Sequence, residues 1–217
     1  MDRRTLASYI DHTLLRPEAT LDEAIAVAPA PAALGAASVC LSPSLAVVLP
    51  KITRLTTVVG FPSGAHASAT KASETSLVAE QADEIDMVVN LGAIKAGQWD
   101  ITATEIAAVR KACPDRVLKV ILETAALSDD EIVRAGSIAL DAGADLLKTS
   151  TGFHPAGGAS LHAVEILARL AANAGRPVGV KASGGIRTTA TAMQMIDAGA
   201  TRLGCSASVE ILAGLPA

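Results

Sequence analysis

Aromatic side chains are nearly absent from this 217-residue chain. It has one Trp, one Tyr and two Phe, 2% of the whole, although 50% of its residues are hydrophobic. Single-stranded nucleic acid is gripped by stacked aromatic rings along a basic groove, so this scarcity argues against that partner. Charge agrees: no basic run exists to follow a phosphate backbone. The 18 Lys and Arg against 22 Asp and Glu give a formal charge of −4 and a pI near 5.5, which argues against nucleic acid of any kind. Long apolar runs are missing too. Mean hydropathy is +0.41, yet no run reaches the ~18 uninterrupted residues of a spanning helix. Met1-Asp2-Arg3-Arg4-Thr5 leads into only a few apolar residues before Asp11, too few for a secretory core. The three cysteines, Cys40, Cys113 and Cys205, are odd in number and lack metal-ligand spacing, as do His12, His66, His154 and His162. Reduced thiols in a cytoplasmic protein are the expectation.

What is present is aliphatic, with alanine at about one residue in five. Short runs rich in Val, Ile and Leu recur along the chain at residues 38–41, 56–59, 84–89, 117–122, 145–148, 177–181 and 201–205, with a weaker one at 9–13. Each is bounded by Gly, Pro, Ser or Asp, the pattern of buried parallel strands. Helical stretches lie between them. Ser128-Asp129-Asp130-Glu131 is a capping box, followed by an apolar stripe of Ile132, Ala135, Ile138 and Ala139 that Gly143 ends. Further helices read from Leu161 to Ala174 and from Thr188 to Ala198, each stopped by a glycine.

Residues 141–150 and 197–206 echo one another at an offset of 56 residues, or two strand–helix units of about 28 each. Eight such units fill the chain, which predicts a compact (β/α)8 barrel, a single domain over residues 1–217. A doubly wound open sheet is the alternative, but no Gly-x-Gly-x-x-Gly turn follows the first strand.

Ionisable residues stand inside or at the ends of these apolar runs: Asp11, Asp86, Lys119, Glu123, Lys148 and Lys181. A strand covered outside by helices has only the barrel interior for a charge. Alternation puts Lys119, Ile121 and Glu123 on one face of their strand, Asp86, Val88 and Asn90 on one face of theirs, and Lys148 with Ser150 likewise. If these are the inward faces, the charges converge near the strand C-terminal ends. Two ammonium groups in one partly desolvated cavity disfavour each other's protonation. A free lysine titrates near 10.4, so only about one in 2,500 is neutral at pH 7. A depression of about three units would supply a useful amine nucleophile for an aldehyde or ketone. Spacing does not say which lysine that is. Asp86, Asp11 and Glu123 are candidates for proton transfer.

Phosphate is the second implied ligand. Thr149-Ser150-Thr151-Gly152, Ser183-Gly184-Gly185-Ile186-Arg187-Thr188 and Gly204-Cys205-Ser206-Ala207-Ser208 follow the last three strands. Small residues there let backbone N–H groups approach an anion. The residues alone leave three classes open: a Schiff-base aldolase, a phosphosugar enzyme that uses lysine only as a charge, and a non-catalytic phosphosugar-binding barrel.

Nearly the whole chain resembles the deoxyribose-phosphate aldolase family. The segments that carry the likeness are Tyr9–Leu15, Val39–Pro43, Val58–Gly64, Glu84–Asn90, Lys119–Thr124, Leu147–Phe153, Val180–Thr188 and Gly204–Ser206. The resemblance implies a metal-independent, cofactor-free barrel enzyme that reversibly cleaves 2-deoxy-D-ribose 5-phosphate to D-glyceraldehyde 3-phosphate and acetaldehyde. It implies that Lys148 forms the Schiff base, Lys181 lowers its pKa, and Asp86 moves protons with an ordered water. Asp11 and Lys119 would complete the polar network, with Cys40 beside them. Gly152, Gly184, Gly185 and Ser206 would surround the phosphate, and the chain would be a homodimer. Four features depart from the family pattern. Phe153 stands where some relatives carry a lysine, and Ser42 where many have asparagine. Ala207-Ser208 replaces a more usual Ser-Gly or Ser-Ser. The ending Gly214–Ala217 lacks the terminal tyrosine of some relatives.

Overall fold

The computed structural model describes residues 1–51 and 54–216. Ala217, the last residue of the tyrosine-free ending, lies outside the described residues. Eight parallel strands form a closed barrel in sequence order. They are β1 (Ile10–Leu14), β2 (Ser38–Leu41), β3 (Leu55–Val59), β4 (Glu84–Val88), β5 (Val117–Ile121), β6 (Leu146–Lys148), β7 (Gly179–Ser183) and β8 (Arg202–Cys205). Closure comes from β1 against β8, with Ile10 opposite Leu203, Asp11 opposite Gly204 and His12 opposite Cys205. The weakest expected strand is thus the one that seals the barrel.

Expected and observed strands coincide within two residues. The largest shift is at β7, where Pro177 has no N–H to give and the ladder begins at Gly179, whose N–H reaches Asp145. The Ser128 capping box is complete: Ser128 Oγ accepts from Glu131 N, and the Glu131 carboxylate accepts from Ser128 N. The echoed segments hold equivalent places. Gly143 and Gly199, with φ of 91° and 110°, end their helices, and β6 and β8 follow.

Each strand has two unlike faces. Val39, Leu41, Ile85, Met87, Leu118, Val120, Leu147, Val180 and Leu203 belong to one contiguous apolar cluster with the helices. The alternate positions face the axis and carry Asp11, Ser38, Thr56, Asp86, Lys119, Lys148 and Lys181, all buried. Small residues let the outer ring approach closely. A Cβ on Gly136 would sit 2.7 Å from Leu170 Cδ1, across the helices Asp129–Asp141 and Leu161–Ala172. Among the described residues, no helix is long and apolar enough to cross a membrane.

Candidate active site

The barrel axis holds one connected set of charges. Asp86, on β4, accepts from three lysines: Lys119 Nζ at 2.8 Å on Oδ1, and both Lys148 Nζ and Lys181 Nζ at 2.7 Å on Oδ2. Asp11, on β1, accepts from Lys181 at 2.5 Å, from Arg202 at 2.6 Å and from Ser38 Oγ at 2.8 Å. Lys119 also meets Glu84 at 2.5 Å. Strand geometry produces this convergence, because Asp86 is register partner to Lys119, and Lys148 to Lys181.

Burial alone would raise the pKa of both aspartates. The lysines outweigh it, holding Asp86 well below the carboxylate range under Lys119, Lys148 and Lys181, and Asp11 likewise under Lys181, Lys119 and Arg202. The lysines divide. Burial depresses all three, but Lys181 ends above its ordinary value because Asp11 and Asp86 both hold it, and Lys119 ends above through Asp86, Asp11 and Glu84. Lys148 ends below: burial and the Lys181 charge outweigh its one carboxylate, Asp86. The two candidate lysines are therefore unequal, and the amine closest to losing its proton is Lys148.

Lys148 is also the lysine with access. It lines a cavity of about 320 Å³ at the C-terminal ends of the strands, within the size range of small-molecule sites and at the end where barrels of this type keep their chemistry. Lys181, Lys119 and Asp86 are fully buried behind it. Gly152, Gly184, Gly185 and Ser206 all line the same cavity, with Arg187 exposed at its rim. Phe153 lines it too, and packs edge-to-face on Phe61 with centroids 5.3 Å apart. The loop glycines are not equivalent. Gly185, at φ 81°, faces open space, whereas Gly184 lies against the backbones of Gly152 and Gly158. A Cβ on Gly158 would fall 2.2 Å from the Gly184 oxygen, so two of these glycines serve loop-on-loop contact as well as the cavity.

Two expectations need correction. Glu123 does not continue the inward face of β5. The strand ends at Ile121, Glu123 turns to a left-handed φ of 58°, and its carboxylate accepts from Thr151 N and Thr151 Oγ1. It pins the loop after β6 rather than joining the lysine cluster. Asn90 lies beyond β4, where its side chain caps the helix Leu91–Lys95 by accepting from Ala93 N. Cys40 lies among the charges, where burial pushes its thiol up to about 11, as suits a packing group rather than a thiolate.

Sequence reasoning missed Glu84 and Arg202, which complete the charge network; their places at the starts of β4 and β8 were the available signal. It also missed Lys71 and Glu105, a buried pair outside the barrel. Lys71 Nζ donates to Glu105 at 2.6 Å and to the Val88 oxygen at 2.7 Å, and Glu105 accepts from Asn90 N at 2.6 Å. Together they clamp the C-terminal end of the strand that carries Asp86.

Fold and axis define a barrel enzyme whose buried lysine opens on a small-molecule cavity, the equipment of amine–carbonyl chemistry. The chain belongs to the DeoC/LacD aldolase family, whose model matches residues 1–214. The deoxyribose-phosphate aldolase of Kocuria rhizophila is 55% identical over 216 residues, 98% of each chain. That of Corynebacterium diphtheriae is 56% identical over 213 residues, 97% of this chain and 96% of the relative. The tetrameric deoxyribose phosphate aldolase of Aeropyrum pernix superimposes with a TM-score of 0.87 at 32% identity, over 98% of this chain and 92% of that one.

Proposed function

We propose that this chain is a deoxyribose-phosphate aldolase that works through a Schiff base on Lys148. The observation that carries the assignment is the unequal lysine pair, two ammonium groups on one Asp86 oxygen with only Lys148 reaching the cavity. The neutral amine of Lys148 attacks the C1 aldehyde of open-chain 2-deoxy-D-ribose 5-phosphate. The carbinolamine then loses water to give an iminium ion. Asp86, in contact with both amines, relays the protons of these steps with a water. The C2–C3 bond breaks, its electron pair enters the iminium to form an enamine, and the 3-hydroxyl proton leaves. D-Glyceraldehyde 3-phosphate departs. Protonation of the enamine at C2 and hydrolysis then free acetaldehyde and Lys148.

Asp11 and Lys119 keep Lys181 and Asp86 charged, while Cys40 fills the space beside them. Gly152, Gly184, Gly185 and Ser206 offer the cavity wall for the phosphate, with Arg187 at the rim supplying charge where Phe153 cannot. Tyr9, the chain's one tyrosine, precedes β1 and packs on the core at the opposite end, so enamine protonation proceeds without a tyrosine from this segment. A homodimer in the cytoplasm is part of the same proposal, and light scattering reads the assembly.

Reduction with borohydride in the presence of acetaldehyde tests the chemistry. The expected result is a covalent mass gain on Lys148 that is lost in Lys148→Ala. A protein that cleaves the sugar phosphate without such an adduct would sink the Schiff-base reading.

A further inference from the structure

The ion-paired set along the axis holds more cations than carboxylates. Glu123, the other buried carboxylate at the cavity end, is turned onto Thr151 and pairs with none of these cations. β4 contributes Glu84 and Asp86, β5 Lys119, β7 Lys181, β8 Arg202 and β1 Asp11. β2 contributes the neutral thiol of Cys40, and β3 only Thr56 and Val58. At the cavity rim Arg187 is exposed, and Arg16 is paired with Glu18 and Glu23. Within the axis, four cations (Lys119, Lys148, Lys181, Arg202) thus meet three carboxylates (Asp11, Glu84, Asp86), a surplus of one positive charge. Arg202 cannot resolve it, since a guanidinium keeps its proton. Lys119 touches all three carboxylates, at 2.5 Å, 2.8 Å and 3.5 Å, and Lys181 touches two. Lys148 touches one, through an oxygen it shares with Lys181. The proton that the cluster cannot hold is therefore the one on Lys148.

We propose that Arg202 and Glu84, at the floor of the barrel, are positioning residues that set the protonation of Lys148 through the charge count of the axial cluster. Both stand at the first residue of their strands, at the end away from the cavity. Arg202 Nη1 donates to Asp11 at 2.6 Å and to Glu84 at 3.1 Å. They are the members of the network with most solvent contact, 19% and 14% of their side chains, against 4% or less for the three lysines and two aspartates. Without Arg202 the cluster balances with Lys148 charged, and nothing compels it to give up a proton. Glu84 works in the opposite sense, because its carboxylate offsets part of the surplus. The direction found for Lys148, downward while Lys119 and Lys181 go upward, agrees with this count.

The inference rests on Lys148 being the Schiff-base lysine, and the test separates the two ideas. Arg202→Met, Arg202→Lys and Glu84→Gln are compared with wild type. The readouts are kcat/KM for 2-deoxy-D-ribose 5-phosphate cleavage against pH, and cyanoborohydride trapping of acetaldehyde on Lys148, mapped by peptide mass spectrometry at each pH. A unit charge two strand spacings away, ~10 Å, in an effective dielectric of ~20 moves a titration by about one pH unit. Loss of Arg202's charge raises the acid-limb midpoint by about that much, lowering kcat/KM about tenfold below it. Arg202→Lys restores the midpoint, and Glu84→Gln lowers it. A merely structural role predicts activity losses without midpoints moving in opposite directions. If Arg202→Met does not give a native circular dichroism spectrum, the downward shift in Glu84→Gln still decides. Midpoints that stay put, or move the same way in both variants, overturn the inference while leaving the aldolase reading intact. Absence of any Lys148 adduct in wild type overturns the reading itself.

Discussion

Lys181→Leu is the most direct perturbation of the proposed nucleophile, because it removes a charge without altering the Lys148 side chain. Both ammonium groups lie 2.7 Å from the same Asp86 oxygen. Their nitrogens are therefore no more than about 5.4 Å apart, twice that distance. At ~5 Å and an effective dielectric of ~20, the repulsion is about 3 kcal/mol, or about two pH units on Lys148. The sign is fixed by which form the neighbour opposes. Lys181 disfavours the protonated form of Lys148, so its loss raises that pKa, and the freed share of Asp86 pulls the same way. Reaction requires the neutral amine, so the acid limb of kcat/KM moves about two units upward and activity below that midpoint falls about 100-fold. A coupled assay for glyceraldehyde 3-phosphate across the pH range reads both quantities. Lys181→Arg keeps the charge and should keep the midpoint. A 100-fold loss in Lys181→Leu with an unmoved midpoint would refute the electrostatic argument, leaving Lys181 a proton carrier or a geometric support.

The remaining predictions concern the frame around that pair. Glu105→Ala strands the Lys71 ammonium, buried at 0% exposure, and should cost about 3–5 kcal/mol in urea denaturation. Adding Lys71→Met should recover part of this, and a double variant as unstable as the single one would show the charge is not the cause. Gly158→Ala forces a Cβ toward the Gly184 oxygen, 2.2 Å away, and should raise KM for the phosphorylated sugar. Trapping of unphosphorylated acetaldehyde on Lys148 should change little, and an equal loss in both assays counts against a phosphate-side effect. Iodoacetamide at pH 8 should leave the native protein unmodified. Burial raises all three thiols, Cys40 to about 11 and Cys205 to about 12, so mass spectrometric evidence of early Cys40 alkylation contradicts its placement.

The barrel was legible because its two signals are local: short aliphatic runs and helix punctuation, each decided within ten residues. The internal echo supplied the count of units. Asp11, Asp86, Lys119, Lys148 and Lys181 were legible as inward charges for the same reason, since alternation along a strand fixes the face once the strand is known. Glu123 shows where that rule stops. Alternation has no authority past the last ladder bond, and a left-handed residue at φ 58° re-aims the side chain. Glu84 and Arg202 escaped because a charge on the first residue of a strand reads as a solvated end. Only closure of the sheet brings β4 and β8 across the axis to meet. Lys71 and Glu105 lie on helices, where a charged residue is ordinarily exposed, and nothing in their spacing of 34 residues announces a pair.

Dividing the strand faces separates stability from chemistry. The outward face carries the aliphatic cluster with the helices, where each buried Leu, Ile or Val contributes about 1.5–3 kcal/mol. The inward face gains little from that source, since buried ion pairs roughly offset their own desolvation. Its members nonetheless depend on one another, because each lysine or aspartate removed changes the charge its partners face in a dry interior. The two faces should therefore respond differently to substitution. Trimming Leu147 or Val120 leaves a cavity and lowers stability with the pH profile intact. Replacing an axial charge changes the field on every other member, and Lys148, the proposed nucleophile, should respond first because it has only one carboxylate to hold its proton. The aliphatic shell lets such an axis persist, since the outer layer supplies the stability that the inner layer uses.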